Sequence, residues 1–163
     1  MAKEKSIYQI TRDELNYSRQ QAADAIAAVD GGRYAYIDEN RLVKLEHGTA
    51  KLQPEDVVAL SKAYNKPELR NHYCCHECEI GKIDAPEVEF NTGIHEILVN
   101  MAVSLKTVNH NKIRLMEILE DGVLSEDEKD DFDRIYDELE RISMTVEALQ
   151  LWCEKMKLHI NEK

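Results

Sequence analysis

His72-Tyr73-Cys74-Cys75-His76-Glu77-Cys78 puts three thiols and two imidazoles within seven residues. Thiolate sulfur and imidazole nitrogen are ligands that zinc takes, four at a time in a tetrahedron, and the Cys75-x-x-Cys78 spacing suits it. His72, Cys74, Cys75 and Cys78 are therefore the candidate metal ligands. Structural zinc sites, however, usually bring two ligands from each of two distant segments, and the chain has no second Cys-x-x-Cys. Three readings stay open: a zinc site, a thiol-responsive sensor, or cysteines that pack a junction between two parts of the chain. The fourth cysteine, Cys153, falls on an apolar helical seam and reads as a small core residue.

A second set of residues has the chemistry to read a base edge. Asn40, Arg41 and Lys44 fall on one side of the run Glu39–His47, and Leu42 and Leu45 fall on the other. Arg pairs well with guanine and Asn with adenine in the major groove. Glu39 either reads cytosine or keeps the wrong sequence away. Glu46 is expected to be structural, accepting hydrogen bonds inside its own domain. Gly48 ends the run, since glycine enters the left-handed cap conformation cheaply. Pro54 opens the next helix, where its missing N–H does no harm. A short helix with one apolar edge and one polar edge can pack on a domain and still show side chains to a groove.

The stretch before it supplies a companion helix. Ser18 is an N-cap with Gln21 at the third position, a capping box that ties down two orphan amides. Ala22 and Ala23 are small and let another helix approach closely. With Ser18, Arg19, Ala23, Leu42, Leu45, Glu46 and Gly48 in this order, the chain resembles the XRE family, the phage Cro and lambda-repressor type of helix-turn-helix. The resemblance covers residues 6–69, under half of the chain. It implies that Arg19 and Gln20 contact phosphate or a base edge. It also implies that Asn40, Arg41 and Lys44 face the major groove, and that Thr49 and Lys51 touch the backbone of double-stranded DNA.

One departure bears on those contacts. Residues 24–37 separate Ala23 from Asp38, where the family has far fewer. Gly31-Gly32 is a tight-turn signal. The segment is a longer helix with a protruding loop, a small hairpin, or a loop whose tyrosines fold back on the domain. In the first two cases Arg33, Tyr34 and Tyr36 are placed to touch a phosphate backbone.

The elements that must position these residues are helical. Helices are expected over 6–15, 19–28, 39–47 and 54–64, with one more turn from Pro67. Beyond Pro86 the texture changes. Ile94, Leu98, Met101, Leu105, Val108, Leu115 and Leu119 follow one another in steps of three and four, with Lys112 in the one skipped seam position. Phe132, Ile135, Leu139, Ile142, Val146, Leu149, Cys153, Met156 and Ile160 do the same. Such heptad seams predict two long helices paired as a coiled-coil-like antiparallel hairpin. Gly122 is the stop between them and Ser125–Glu128 a capping-box start. Ile97, Val103, Ile113, Met116, Ile118, Tyr136, Leu151 and Trp152 lie off the seam and need a cover. The same hairpin from a second copy would supply it as an antiparallel four-helix bundle; packing back onto the N-terminal domain is the alternative.

The expected architecture is thus all-α. A lambda-repressor-like helix-turn-helix bundle spans 1–69, a Cys/His-rich junction 70–86, and a dimerising helical hairpin 87–163. Three prolines, six glycines and a charged third of the residues agree with a mostly helical chain.

Net charge is −11, but it is unevenly spread. Residues 1–83 carry 12 basic and 13 acidic residues, and residues 84–163 carry 9 and 19. Non-specific DNA affinity comes from phosphate neutralisation, so a balance of −1 predicts modest, salt-sensitive binding that needs dimer avidity. No long apolar stretch or apolar leader is evident, so no membrane span and a cytoplasmic address are expected. Disulfide staples are not expected there.

Catalytic signatures are missing. There is no nucleophile elbow, phosphate-cradling glycine loop or His-Glu-x-x-His. The acidic run 125–133 lacks the alternation of a calcium loop. His47, His95, His110 and His159 read as surface or interface residues. The expected function is a sequence-specific DNA-binding transcriptional regulator, acting as a homodimer through its C-terminal hairpin, and not an enzyme. The alternatives are a protein-interaction module on the same fold, or a metal- or thiol-responsive regulator working through Cys74–Cys78.

Overall fold

In the computed structural model the described residues are 5–88, 93–120 and 122–161, with the side chains of 109, 110 and 158–161 left aside. The expectations for His110, His159 and Ile160 fall outside that description. Among the described residues there are eight α-helices, one 3-10 turn and no strand. They are α1 Ile7–Glu14, α2 Arg19–Ala28, α3 Glu39–Glu46, α4 Pro54–Ala63, α5 Glu68–His76, α6 Gly81–Asp84, α7 Ile94–Ile118 and α8 Lys129–Asn161. No helix among them is long and apolar enough to cross a membrane.

Local chemistry sets most of the short helices. Ser18 Oγ accepts from Gln21 N at 3.2 Å and Gln21 Oε1 accepts from Ser18 N at 2.8 Å, the reciprocal box that starts α2. Asp38 caps α3 by accepting from Arg41 N at 2.7 Å. Pro54 is the first residue of α4. Beyond α3, Gly48 takes φ +64°, and Thr49 N returns to Lys44 O at 2.9 Å. That is the closing bond of a Schellman cap, so the expected glycine stop is found.

The chain divides into two units: residues up to Ala85 together with those from Lys155 onward, and Pro86–Glu154. In the first unit, α2 packs on α3 and α4, α4 on α5, and α5 on α6. Its core joins Ala22, Ile26, Ile37, Leu42, Leu45, Val57, Leu60, Tyr64 and Leu69. Burying such aliphatic side chains contributes about 1.5–3 kcal/mol each.

The segment after α2 is neither a hairpin nor a protruding loop. Asp30, Gly31 and Gly32 all take positive φ in a 3-10 turn, and Tyr34 and Ile37 then enter the core. The expected one turn after Pro67 is instead a nine-residue helix, α5, because Leu69 and Asn71 are buried and Tyr73 packs on the core. Residues 70–85 of the expected junction fall in the first unit, and Pro86 opens the second. The last turns of α8 also group with the first unit, where Lys155 Nζ reaches Glu68 Oε1 at 3.2 Å.

In the second unit the buried edge of α7 differs from the expected seam. Ile97, Ser104 and Ile118 are buried, whereas Leu98, Leu105 and Leu119 are at least half exposed. On α8, Ile135 is buried as expected, but Leu139 is exposed. The two candidate lines on α7 lie one residue apart and share Ile94, Met101, Val108 and Leu115, so spacing alone does not separate them. Arg114 does. It lies on the Ile118 side of α7, and its Nε donates to Asp131 Oδ2 at 2.7 Å, which turns that edge inward.

Candidate functional site

The α3 helix is divided as the sequence requires. Leu42, Leu45 and Glu46 are buried, and Glu39, Asn40, Lys44 and His47 are exposed. The 24–37 segment leaves Asn40 and Lys44 exposed, with Ile26, Tyr34 and Ile37 in the core and Tyr36 alone lying against Arg41. Thr49 and Lys51 are exposed just beyond it, and Thr49 Oγ1 donates to Lys44 O at 3.2 Å.

Arg41 stands apart from its neighbours. Its Nη2 donates to both oxygens of Asp56, and its side chain is 34% exposed. Asp56 is fully buried at the start of α4. It also accepts from Tyr36 Oη at 3.1 Å and from Gln53 N at 3.1 Å. Burial and the hydrogen bond to Asp56 hold the Tyr36 hydroxyl above its ordinary pKa. The Arg41 guanidinium also lies over the Tyr36 ring. The Tyr36 hydroxyl is thus engaged by Asp56, while half of the residue stays in solvent. Asp56 and Tyr36 as partners of Arg41 were missed in the sequence. The only hint of Asp56 was its place three residues after Gln53, where a carboxylate can reach back to a helix start.

Behind α3 lies a buried ion pair. Arg12 Nε donates to Glu46 Oε1 at 2.5 Å, and Nη2 donates to Oε2 at 3.1 Å. Arg19 Nε approaches the same carboxylate at 3.5 Å. Glu46 is therefore structural, as expected. Arg19 leans toward it from the start of α2 and keeps about a third of its side chain in solvent. Gln20 is exposed and donates to Asp24 Oδ1 at 2.9 Å.

Between α2, the 29–37 segment and α3 lies a cleft of about 310 Å³. Gln20 and Asn40 line it together with Asp24, Asp38 and Glu39. Three carboxylates and no cation face it, a lining that repels phosphate and attracts a cationic group. The chain matches no family model, no curated protein and no solved structure. The functional reading therefore rests on geometry and chemistry alone.

The Cys/His run occupies α5 and the turn after it, with Cys74, Cys75 and Cys78 half-buried. Cys74 and Cys75 are consecutive on α5, about 100° apart around it. Cys75 Sγ lies 3.7 Å from both Asn71 Oδ1 and Ala85 O. Cys78 Sγ accepts from Gly81 N at 3.5 Å. His72 and His76 stack at 4.3 Å. No three of the described His, Cys, Asp and Glu side chains converge to hold a metal ion. Cys75 and Cys78 thus take separate partners, and among the described residues His72, Cys74, Cys75 and Cys78 are not gathered around one point. Gly81 explains the local closeness: a Cβ there would lie 2.3 Å from Cys74 O.

Proposed function

We propose that the chain is a sequence-specific DNA-binding transcriptional regulator that acts as a homodimer. Helices α2 and α3 serve as a lambda-repressor-like helix-turn-helix with a long connection, and α7 and α8 as a dimerising hairpin. One observation carries the reading. Asn40 and Lys44 stand exposed on a short helix whose other face, Leu42 and Leu45, is locked into the core. In this reading Asn40 meets a base edge, and Lys44, Thr49 and Lys51 meet phosphate. Arg41, tied to Asp56, presents the rest of its guanidinium at reduced net charge. Arg19 and Gln20 are secondary contacts, since the first leans on Glu46 and the second on Asp24. No catalytic role is assigned, and a cytoplasmic address is part of the same proposal.

The test is binding to a random duplex pool across a salt series, followed by sequencing of the bound fraction. A steep log–log salt slope and an enriched inverted repeat are expected. Lys44→Ala should reduce the slope by about 1, and Asn40→Ala should relax preference at one position by about 1–3 kcal/mol. The proposal fails if affinity shows no salt dependence down to about 50 mM, where phosphate contacts are strong.

The acid-lined cleft favours a second reading, a protein-interaction module that takes a basic side chain between Asp24, Asp38 and Glu39. Under it, Asp24→Asn with Glu39→Gln weakens binding to the partner. Under the DNA reading, the same change removes carboxylates near the duplex and strengthens binding.

A further inference from the structure

The second unit leaves an apolar line in the open. Leu98 and Leu105 follow one face of α7 and Leu119 continues it at the C-cap, with Met116 on it and Ile113 beside it. Each is between 50 and 65% exposed. Leu98 and Leu119 are 21 residues apart, roughly 32 Å along the helix at 1.5 Å per residue. One charge, Lys112, interrupts the heptad line.

We infer that this face of α7 is the surface on which a second copy of the chain docks. The inference rests on the dimeric part of the proposed function and names its residues. Area is the first argument. Five such side chains with roughly 100 Å² each in the open amount to about 500 Å². That is more than half of the ~800 Å² per partner of a standard interface, and it lies in the upper half of the range a monomer ordinarily leaves bare. Chemistry is the second argument. The line carries a single charge, so it asks for no oppositely charged partner, and an apolar line of heptad spacing is what pairs with its own copy. Position is the third. Ser104 occupies the buried edge while Leu105, one residue on, stays outside. A fold that spends a serine inside and leucines outside has a second burial for the leucines. Lys112 is the polar break that restricts register, at a cost in stability.

The experiment is sedimentation of the full chain across concentrations up to about 50 μM, without DNA, so its failure is separate from failure to bind a duplex. A dimer is expected. In a twofold interface each substitution counts twice. Leu105→Glu should therefore weaken association by about 100-fold or more, with helix content by circular dichroism unchanged. Lys112→Leu should tighten it by about 10-fold or more, which keeps the test decisive if Leu105→Glu fails to fold. A monomeric parent chain, an undiminished Leu105→Glu dimer, or a Lys112→Leu variant that associates no more tightly overturns the inference.

Discussion

Arg41 Nη2 donates to both carboxylate oxygens of Asp56, at 3.1 and 2.9 Å, while the guanidinium carbon sits 5.3 Å from the centre of the Tyr36 ring. Asp56 thus ties the candidate reading helix to the start of α4 and to the long connection after α2. Asp56→Ala strands Arg41, Tyr36 and Gln53 N at once and should cost about 2–4 kcal/mol. Urea unfolding measures this. A loss below about 0.5 kcal/mol would mean that the carboxylate holds nothing in place.

The Arg12–Glu46 pair should behave asymmetrically. Glu46→Ala leaves a buried guanidinium and should cost about 3–5 kcal/mol. Replacing both partners together, as Arg12→Met with Glu46→Leu, should bring stability back to within about 1 kcal/mol of the parent chain. A double-mutant cycle by chemical denaturation reads the coupling. Additive losses would contradict the pairing.

Two buried tyrosines set an alkaline limit. Burial raises Tyr8 above its ordinary value, and the hydrogen bond its hydroxyl donates to Glu77 adds to this. Burial and the nearby Glu46 carboxylate raise Tyr64. As pH rises, the unfolded chain releases these protons first. Stability is therefore complete below about pH 10 and declines above it. Urea midpoints taken between about pH 8 and pH 11 should fall at the alkaline end, and Tyr8→Phe should flatten that fall. At neutral pH, Tyr8→Phe costs about 1 kcal/mol, while Tyr64→Phe is near neutral. The Tyr64 hydroxyl is buried without a protein hydrogen-bond partner among the described residues.

Gly81→Ala tests the tight approach of α6 to α5. The added methyl would sit 2.3 Å from Cys74 O, a backbone atom that cannot swing aside. Overpacking of this kind costs about 1–3 kcal/mol. The thermal midpoint should drop by several degrees, about 4–8 °C per kcal/mol for a unit of this size. An unchanged midpoint would show that α5 and α6 are less closely joined.

What the sequence revealed and what it hid divide by range. The start of α2 rests on Ser18 and Gln21, three residues apart, and the end of α3 on Gly48, so both were readable in a short window. The Arg41–Asp56–Tyr36 cluster spans 15 and 20 residues, and no local rule pairs those positions. The direction of the 29–37 segment depended on Tyr34 and Ile37 finding space in a core assembled by other helices. The α7 edge was missed for a different reason. Two 3–4 lines overlapped, the leucine-rich one looked stronger, and Arg114–Asp131 decided for the other. The Cys/His run showed the right ligand types, but Cys75 Sγ lies against Asn71 and Ala85 O while Cys78 Sγ takes Gly81 N.

The Glu46 carboxylate is wholly buried, and Arg12 and Arg19 lie beside it. That arrangement links the histories of distant positions. A lineage that loses the carboxylate leaves the Arg12 guanidinium without its bidentate partner, and one that loses Arg12 leaves the buried carboxylate to Arg19 alone, 3.5 Å away. Neither change persists by drift alone. Positions 12 and 46 should therefore travel together through descent, as a pair kept or a pair exchanged.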